Sequence, residues 1–317
     1  AAPPLVPGAL AHCRPYPAQP AHNQPLGFPG TLVPDWRERA LARLRQLLAG
    51  SRALQVYLDI CVKCGACADK CQFFLGSGDP NNMPVARQDL LRSVYRYHCT
   101  VLGRRLGAWV GARPLDEALL QEWFTYYHQC SQCRRCSVFC PFGIDTAEIS
   151  MAAREIMNAI GLGQKYCNEI ITKVHRLGNN LGLPGPALTD TLEGLAEDVE
   201  EETGVPVKFP LDVKGAEVLL VPPSADFFAE PHVDGLIGYA KVFHAAGISW
   251  TLSSHASEAA NFSLFIGNHD NLRKVAERIR RRGVEASRCT LGSKVLHPPG
   301  RRYASAQECA SAWRTTK

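Results

Sequence analysis

The chain has 317 residues, of which 46% are hydrophobic and 21% are charged, and this length suggests about two globular domains with cores of their own. Its net charge of +5 is too small to indicate a nucleic-acid partner, and no basic stripe with interleaved aromatic residues supports one. No apolar run reaches the ~18–20 residues that a membrane-spanning helix needs and no signal-peptide pattern opens the chain, so we expect neither a direct membrane span nor secretion.

Proline content and apolar periodicity divide the first two thirds of the chain into three parts. Residues 1–34 are rich in proline and aperiodic, which predicts an extended arm. Residues 35–175 carry apolar residues at helical spacing, which predicts a mostly α-helical domain. Residues 176–214 are rich in glycine, proline and acidic residues, and we expect a linker there.

Several helices are predicted within the α-helical domain. The first is capped by Asp35 and ends at Gly50, and the second starts at Pro84, because proline is tolerated in the first turn of a helix. A third covers residues 115–129, where leucine and aromatic side chains share one face. A fourth begins after Asp145, which is the first residue of a capping-box-like pair.

The pattern changes after residue 214. The predicted elements are a strand at 216–221, a helix at 236–243, a strand at 248–252 and a helix at 271–281. Alternating strands and helices indicate an α/β unit with parallel strands, so residues 215–283 predict a partial unit of this kind. Residues 284–317 are arginine-rich and aperiodic, and they are expected to be an atypical tail.

Eight of the 13 cysteines fall in two runs with the same spacing. The runs are Cys61-x-x-Cys64-x-x-Cys67-x-x-x-Cys71 and Cys130-x-x-Cys133-x-x-Cys136-x-x-x-Cys140-Pro141. In proteins with two [4Fe–4S] clusters, such a run gives three ligands to one cluster and its fourth cysteine to the other. We therefore predict cluster 1 on Cys61, Cys64, Cys67 and Cys140, and cluster 2 on Cys130, Cys133, Cys136 and Cys71. The first run departs from the pattern in one respect, since Gln72 follows Cys71 where the second run has a proline.

These assignments predict an α+β fold: a mostly α-helical, ferredoxin-like two-cluster domain followed by a small, incomplete α/β unit. Crossed ligation would hold the two clusters side by side, so that electrons can pass between them. The cations within the runs, Lys63, Lys70, Arg134 and Arg135, would raise the reduction potentials, unless they are merely solvated surface residues.

The alternative from another class is a structural zinc-binding adaptor. Zinc takes four ligands, usually as two separated Cys-x-x-Cys pairs, and this would leave one cysteine of each triple without a purpose. A thioredoxin-like redox pair fails for the same reason. The histidines form no ligand pattern and no glycine-rich phosphate loop is present, so we expect no dinucleotide site.

The motifs together resemble one family. They are residues 59–71, the Gly-Ser-Gly-Asp-Pro segment at 76–80, the Leu-Leu-Arg-Ser-Val-Tyr-Arg segment at 90–96, and residues 133–141 and 143–148. The sequence is similar there to the heterodisulfide-reductase-like iron–sulfur subunit (DsrK-type) of the membrane complex that serves dissimilatory sulfite reductase. The likeness runs from about residue 35 to residue 283, and residues 215–283 resemble the start of that family's domain with Cys-Cys-Gly (CCG) motifs.

The resemblance implies a cytoplasmic subunit that is membrane-associated through its partners. Those partners are a membrane cytochrome b-type subunit that exchanges electrons with quinone, other subunits of the redox complex, and a small thiol/disulfide sulfur-carrier protein. In the family, a catalytic cluster on CCG motifs acts on a disulfide or trisulfide of that carrier. This sequence contains no Cys-Cys-Gly, so we expect that it stops before the CCG domain.

Two further questions stay open at this stage. Without the CCG motif no catalytic residue is assigned, and whether the chain alone is an enzyme is not decided. The same pattern also fits an iron–sulfur subunit of another CCG-type oxidoreductase, acting in glycolate or glycerol-3-phosphate oxidation.

Overall fold

We analysed a computed structural model of the chain, which describes residues 19–179, 182–227, 229, 232–254 and 260–292. The chain divides into two compact units. The first comprises Ala1–Tyr166 together with Phe265–Asn268, and the second comprises Cys167–Leu264 and the residues from His269 onward. Each unit is described by itself.

The first unit is helical. Its helices in the described residues are α1 (Trp36–Gly50), α2 (Arg52–Ile60), α3 (Gln72–Ser77), α4 (Pro84–Cys99), α5 (Val101–Leu106), α6 (Glu117–His128), α7 (Arg135–Val138) and α8 (Thr146–Ala159). All four helices predicted for this domain are confirmed, and they are, in chain order, α1, α4, α6 and α8. Their apolar faces form one core, in which Leu91, Trp123, Tyr127 and Ile149 are almost fully buried.

Side-chain caps explain where two of these helices begin. The Asp116 carboxylate accepts a hydrogen bond from the Leu119 N–H at 2.8 Å and starts α6. Asp145 accepts from the N–H groups of Ala147 and Glu148 and starts α8, as predicted. Asp35 differs from the prediction, because its backbone is left-handed (φ 56°) and its side chain makes no capping hydrogen bond to α1.

The described part of the proline-rich arm contacts the first unit. Leu26, Phe28, Leu32 and Val33 pack against its core. The Val33 N–H donates to the Ile160 carbonyl at 3.1 Å, so a backbone hydrogen bond ties the segment to the end of α8. Residues 19–34 are thus a strap across their own unit, because their scattered apolar side chains find a hydrophobic surface there. Residues 1–18 lie outside the described residues.

Gly161 allows the strap to approach the end of α8. Its φ is +95°, and a Cβ atom added there would lie 2.6 Å from the Thr31 carbonyl oxygen. We expect Gly161→Ala to lower the free energy of unfolding by about 3 kcal/mol, since backbone strain and a steric clash add. Gly111→Ala is the control, with a similar strain at φ +69° but its nearest atom 3.8 Å away, and it should cost about 1 kcal/mol. Urea unfolding monitored by circular dichroism measures both, and equal losses would contradict the clash.

The second unit combines helices with a small sheet. Its elements in the described residues are α9 (Lys165–Leu177), α10 (Gly185–Thr203), β1 (Ala216–Val221), α11 (His232–Ala245), β2 (Trp250–Thr251), α12 (Ala260–Phe265), α13 (His269–Ala286) and β3 (Ser287–Gly292). The sheet has the order β2-β1-β3, and both pairs of neighbours are parallel. The predicted fold class, mostly α-helical with a small parallel α/β unit, is confirmed.

Two segments of the second unit differ from their sequence-based descriptions. The segment expected to be a linker, 176–214, contains α10, whose Leu188, Leu192 and Val199 are buried in the core of this unit. Their helical spacing is the physical reason, since it gives α10 an apolar face despite its acidic residues. The expected tail, 284–317, begins with β3, which pairs with β1 along its length. Residues 293–317 lie outside the described residues.

A helix that crosses a bilayer has to be both long and apolar. Among the described residues, none of the helices combines the length and the apolar composition that crossing a membrane requires.

Candidate metal centre

The two cysteine runs form loops that have a left-handed backbone at the same two positions. Two residues after the first cysteine, Lys63 and Gln132 both have a left-handed backbone, with φ of 59° and 60°. Two residues later the same holds for Gly65 and Arg134, with φ of 78° and 60°. A left-handed backbone costs a non-glycine residue roughly 1–2 kcal/mol. Its recurrence at equivalent positions indicates that both loops meet the same structural demand.

This conformation leaves backbone donors within the loops. In the described chain, no N–H group of residues 62–66 or 131–134 donates to a backbone oxygen. Successive N–H groups in such turns form concave sites that bind anions, including iron–sulfur clusters. Both loops therefore offer N–H donors to a negatively charged group held by their cysteines.

Four predicted ligands of one cluster line a single cavity. Its wall includes Cys61, Cys64, Cys67 and Cys140, with Cys136 of the second run beside them. Burial raises the pKa of the Cys67 thiol to about 11, and the nearby thiolates of Cys136 and Cys61 also raise it. Sulfurs that are distant in sequence are thus neighbours in space.

The other four predicted ligands meet at the second loop. Burial raises the pKa of Cys136, and the charges of Cys130 and Cys71 raise it further, so these sulfurs lie near each other. Cys133 lies close to the end of the first run, because its Sγ is 3.8 Å from the Oε1 of Gln72, the residue after Cys71. The Gln72 Nε2 donates to the Ser131 Oγ at 3.2 Å. Gln72, which replaces the expected proline, therefore links the end of the first run to the second loop.

The donor residues around the cavity are of the type that binds an iron–sulfur cluster. Across the described segments, no three His, Cys, Asp or Glu side chains are arranged so as to hold one metal ion. Cysteine is the one residue type among His, Cys, Asp and Glu that lines the cavity, and thiolates are the ligands of iron–sulfur clusters. Because a four-iron cluster is larger than a single ion, its four cysteine ligands stand farther apart than those of zinc.

Buried arginines hold the start of each run, and the sequence analysis missed them. Arg92 of α4 donates to the carbonyls of Cys61 at 2.9 Å and Asp59 at 3.3 Å. Arg154 of α8 donates to the carbonyls of Tyr127 and Cys130. Both arginines are buried, so each fixes a loop from inside the unit.

A third buried arginine lies at the end of the first run. The Arg87 Nη1 donates to the Cys71 Sγ at 3.5 Å, and its Nη2 donates to the Asn82 Oδ1 at 2.9 Å. The Asn82 Nδ2 in turn donates to the Gln129 Oε1 at 2.7 Å, next to Cys130. A signal for these arginines exists in the sequence, since each is a charged residue on the apolar face of its helix.

Most of the cations within the runs are paired with carboxylates. Lys63 lies 2.6 Å from Asp89, and Lys70 lies 2.7 Å from Asp69. Arg134 lies 3.1 Å from Asp145. Each pair is partly exposed, so solvent and the opposite charge reduce the field of these cations. Their influence on a reduction potential stays a prediction.

Comparison with known proteins agrees with this geometry. Residues 57–144 match the 4Fe-4S dicluster domain. The matched segment contains both cysteine runs and, between them, the helices α3, α4 and α6, which carry supporting contacts.

Relatives with known names extend the comparison. The chain is 44% identical over 238 residues to the Hdr-like menaquinol oxidoreductase iron-sulfur subunit of Archaeoglobus profundus. It is 45% identical over 239 residues to the Hdr-like menaquinol oxidoreductase iron-sulfur subunit 2 of Archaeoglobus fulgidus. Each alignment covers 74% of this chain and 43% of the relative, so the chain spans less than half of their length.

A more distant relative is a subunit of a heterodisulfide reductase. It is one subunit of the dihydromethanophenazine:CoB--CoM heterodisulfide reductase of Methanosarcina acetivorans, and it is 22% identical over 264 residues, which is 82% of this chain and 57% of that protein. No solved structure gives a significant match. The named relatives are therefore subunits of Hdr-like or heterodisulfide-reducing enzymes.

Proposed function

We propose that this chain carries two [4Fe–4S] clusters and is the iron–sulfur electron-transfer part of an Hdr-like menaquinol oxidoreductase. The observation that carries the proposal is the pair of cysteine loops, which have a left-handed backbone at equivalent positions and lie together in the first unit. The match of residues 57–144 to the 4Fe-4S dicluster domain and the identity to the Archaeoglobus subunits support it.

The proposed ligand sets are crossed between the runs. Cluster 1 is held by Cys61, Cys64, Cys67 and Cys140, and cluster 2 by Cys130, Cys133, Cys136 and Cys71. The cavity that the first four cysteines line supports the first set. The electrostatic interaction of Cys136 with Cys130 and Cys71 supports the second.

When bound, the clusters would supply one-electron transfer. The residues of this chain hold the cysteine sulfurs, donate N–H groups toward them and fix the loops with buried guanidinium groups. Because each run contributes a ligand to the other's cluster, the two redox centres are kept adjacent. Adjacent centres allow electrons to pass between them within one unit.

We also propose partners for this chain, on the basis of the family resemblance and of the relatives' names. We assign the chain to the DsrK-type branch and place it between a membrane cytochrome b-type subunit and a heterodisulfide-reductase-like site that acts on a thiol/disulfide sulfur-carrier protein. Exposed apolar side chains beside the cysteine loops, Val62, Val138 and Phe142, agree with a surface that a partner covers.

Metal analysis and low-temperature electron paramagnetic resonance (EPR) test the cofactor. Full-length protein purified without air is expected to hold about eight irons per chain, two [4Fe–4S] clusters' worth, and to give interacting S = 1/2 signals on reduction. Folded protein that contains zinc and gives no signal would show a structural zinc adaptor instead. Folded protein without iron, even after reconstitution with iron and sulfide, contradicts the proposal.

A further inference from the structure

Arg87 carries a buried charge that needs an explanation. It lies on α4 and only 2% of it is exposed. Arginine is almost never fully buried unless it is paired, because removing a charge from water is costly. The identity of its partner therefore bears on its role.

The contacts of Arg87 lead to a sulfur atom. Its Nη1 donates to the Cys71 Sγ at 3.5 Å and its Nη2 to the neutral Asn82 amide at 2.9 Å. Its buried Nε has no hydrogen-bond partner in the described chain. Within the same residues, no carboxylate lies within ion-pair distance of Arg87. The sulfur of Cys71 is thus the group that can offset its charge.

Asn82 holds the guanidinium in this orientation. It is fully buried, and its Nδ2 donates to the Ser77 Oγ at 3.0 Å and the Gln129 Oε1 at 2.7 Å. With its amide group fixed in this way, its Oδ1 points at Arg87. The side chain of Arg87 is therefore directed at Cys71 by a neutral residue, which does not cancel its charge.

Arg87 differs in this respect from the cations within the runs. Lys63, Lys70 and Arg134 are more exposed, and each has a carboxylate within about 3 Å. A buried and unneutralised charge acts through a lower effective dielectric than an exposed ion pair does. The positive field at the Cys71 sulfur should therefore come mainly from Arg87.

We propose that Arg87 is a positioning residue that raises the reduction potential of the cluster on Cys71. The inference rests on the proposed function, since it requires both clusters. Reduction adds one electron, and so one negative charge, to a cluster, and a nearby buried cation stabilises that state. Because the hydrogen bond of Arg87 to a cysteine sulfur in the described runs goes to Cys71, it raises the potential of that cluster more than that of its neighbour.

Potentiometric titration of the full chain with dithionite, followed by EPR, measures this effect. Arg87→Met removes the charge at similar size, and it is expected to raise the ratio of oxidised to reduced cluster about tenfold at a fixed potential, which is about 59 mV for one electron. Arg87→Lys keeps the charge and should restore at least half of the shift. Arg135→Met removes an exposed charge within the second run and is the control, with an expected change below about threefold.

A second variant tests the same proposal if Arg87→Met does not fold or does not bind iron. Asn82→Asp places a carboxylate against the Arg87 Nη2 and offsets the charge without removing it, while Ser77 and Gln129 can turn their own donors toward the new oxygen. It should lower the same potential. Wild-type protein without iron would refute the proposed function. Wild-type protein with two clusters, whose potentials neither Arg87→Met nor Asn82→Asp moves, would refute the role of Arg87 alone.

Discussion

Replacing Cys71 with serine is expected to disturb the cluster whose other ligands belong to the second run. In the proposed crossed arrangement, Cys71 completes the set of Cys130, Cys133 and Cys136. A serine hydroxyl is a poor substitute for a thiolate on iron, so bound iron should fall from about eight to about four per chain, or one cluster should change its type. Iron analysis and EPR of the reduced protein measure the result.

The matched experiment uses the fourth cysteine of the other run. Cys140→Ser should disturb the cluster on Cys61, Cys64 and Cys67 and leave the second one intact. Cys99→Ser is the control, because that thiol lies outside both runs and no loss of iron is expected. If Cys71→Ser disturbs only the cluster on Cys61, Cys64 and Cys67, each run ligates its own cluster and the crossed assignment is wrong.

Replacing Arg154 with methionine is expected to cause a large loss of stability. Arg154 is 0% exposed, and it donates to the carbonyls of Tyr127, Cys130 and Phe265, the last at 2.9 Å. Its guanidinium also stacks on the Phe265 ring, 4.1 Å from the centroid. Methionine would leave the carbonyls of Cys130 and Phe265 without these donors, at roughly 1–3 kcal/mol each, while the Tyr127 carbonyl keeps the Cys130 N–H. We expect the free energy of unfolding to fall by at least about 3 kcal/mol.

Urea unfolding of the metal-free protein isolates this effect from cluster binding. Arg113→Met is the control, since Arg113 also makes two hydrogen bonds, at 2.9 and 2.6 Å, but with Glu122 in a partly exposed pair. Its loss should cost no more than about 1 kcal/mol. Equal small losses in the two variants would mean that the carbonyls find other donors and that Arg154 does not hold the second loop.

The sequence was sufficient for the features that depend on local chemistry. Cysteine spacing alone identified the candidate ligands, because a tight loop around a cluster requires sulfurs at fixed intervals. Helix α8 was predicted with its start, since Asp145 caps it locally, and α6 was predicted from its periodic apolar face. The parallel strand β1 was predicted from its short, apolar and buried run.

What the sequence did not predict depends on contacts between distant residues. Arg87 and Arg154 stand on the apolar faces of their helices, but what they hold is visible only when the cysteine loops lie beside them. The helix α10 was hidden by its acidic residues, although its leucines pack in the core of the second unit. The strand β3 forms because it pairs with β1, and no local sequence pattern predicts that pairing.

Residues Phe265–Asn268 belong to the first unit although they follow most of the second unit in sequence. A shorter protein prepared for spectroscopy therefore has to take them into account. A fragment ending at Tyr166 would retain both cysteine runs, yet it would strip Arg154 of the Phe265 carbonyl and ring. It would also uncover Glu155, whose backbone N lies within 2.5 Å of where a Cβ on Gly267 would stand. A minimal domain cut out of the chain therefore has to include these four residues, joined through a linker. Without them, Arg154 loses its contacts with Phe265 and holds the second loop less firmly.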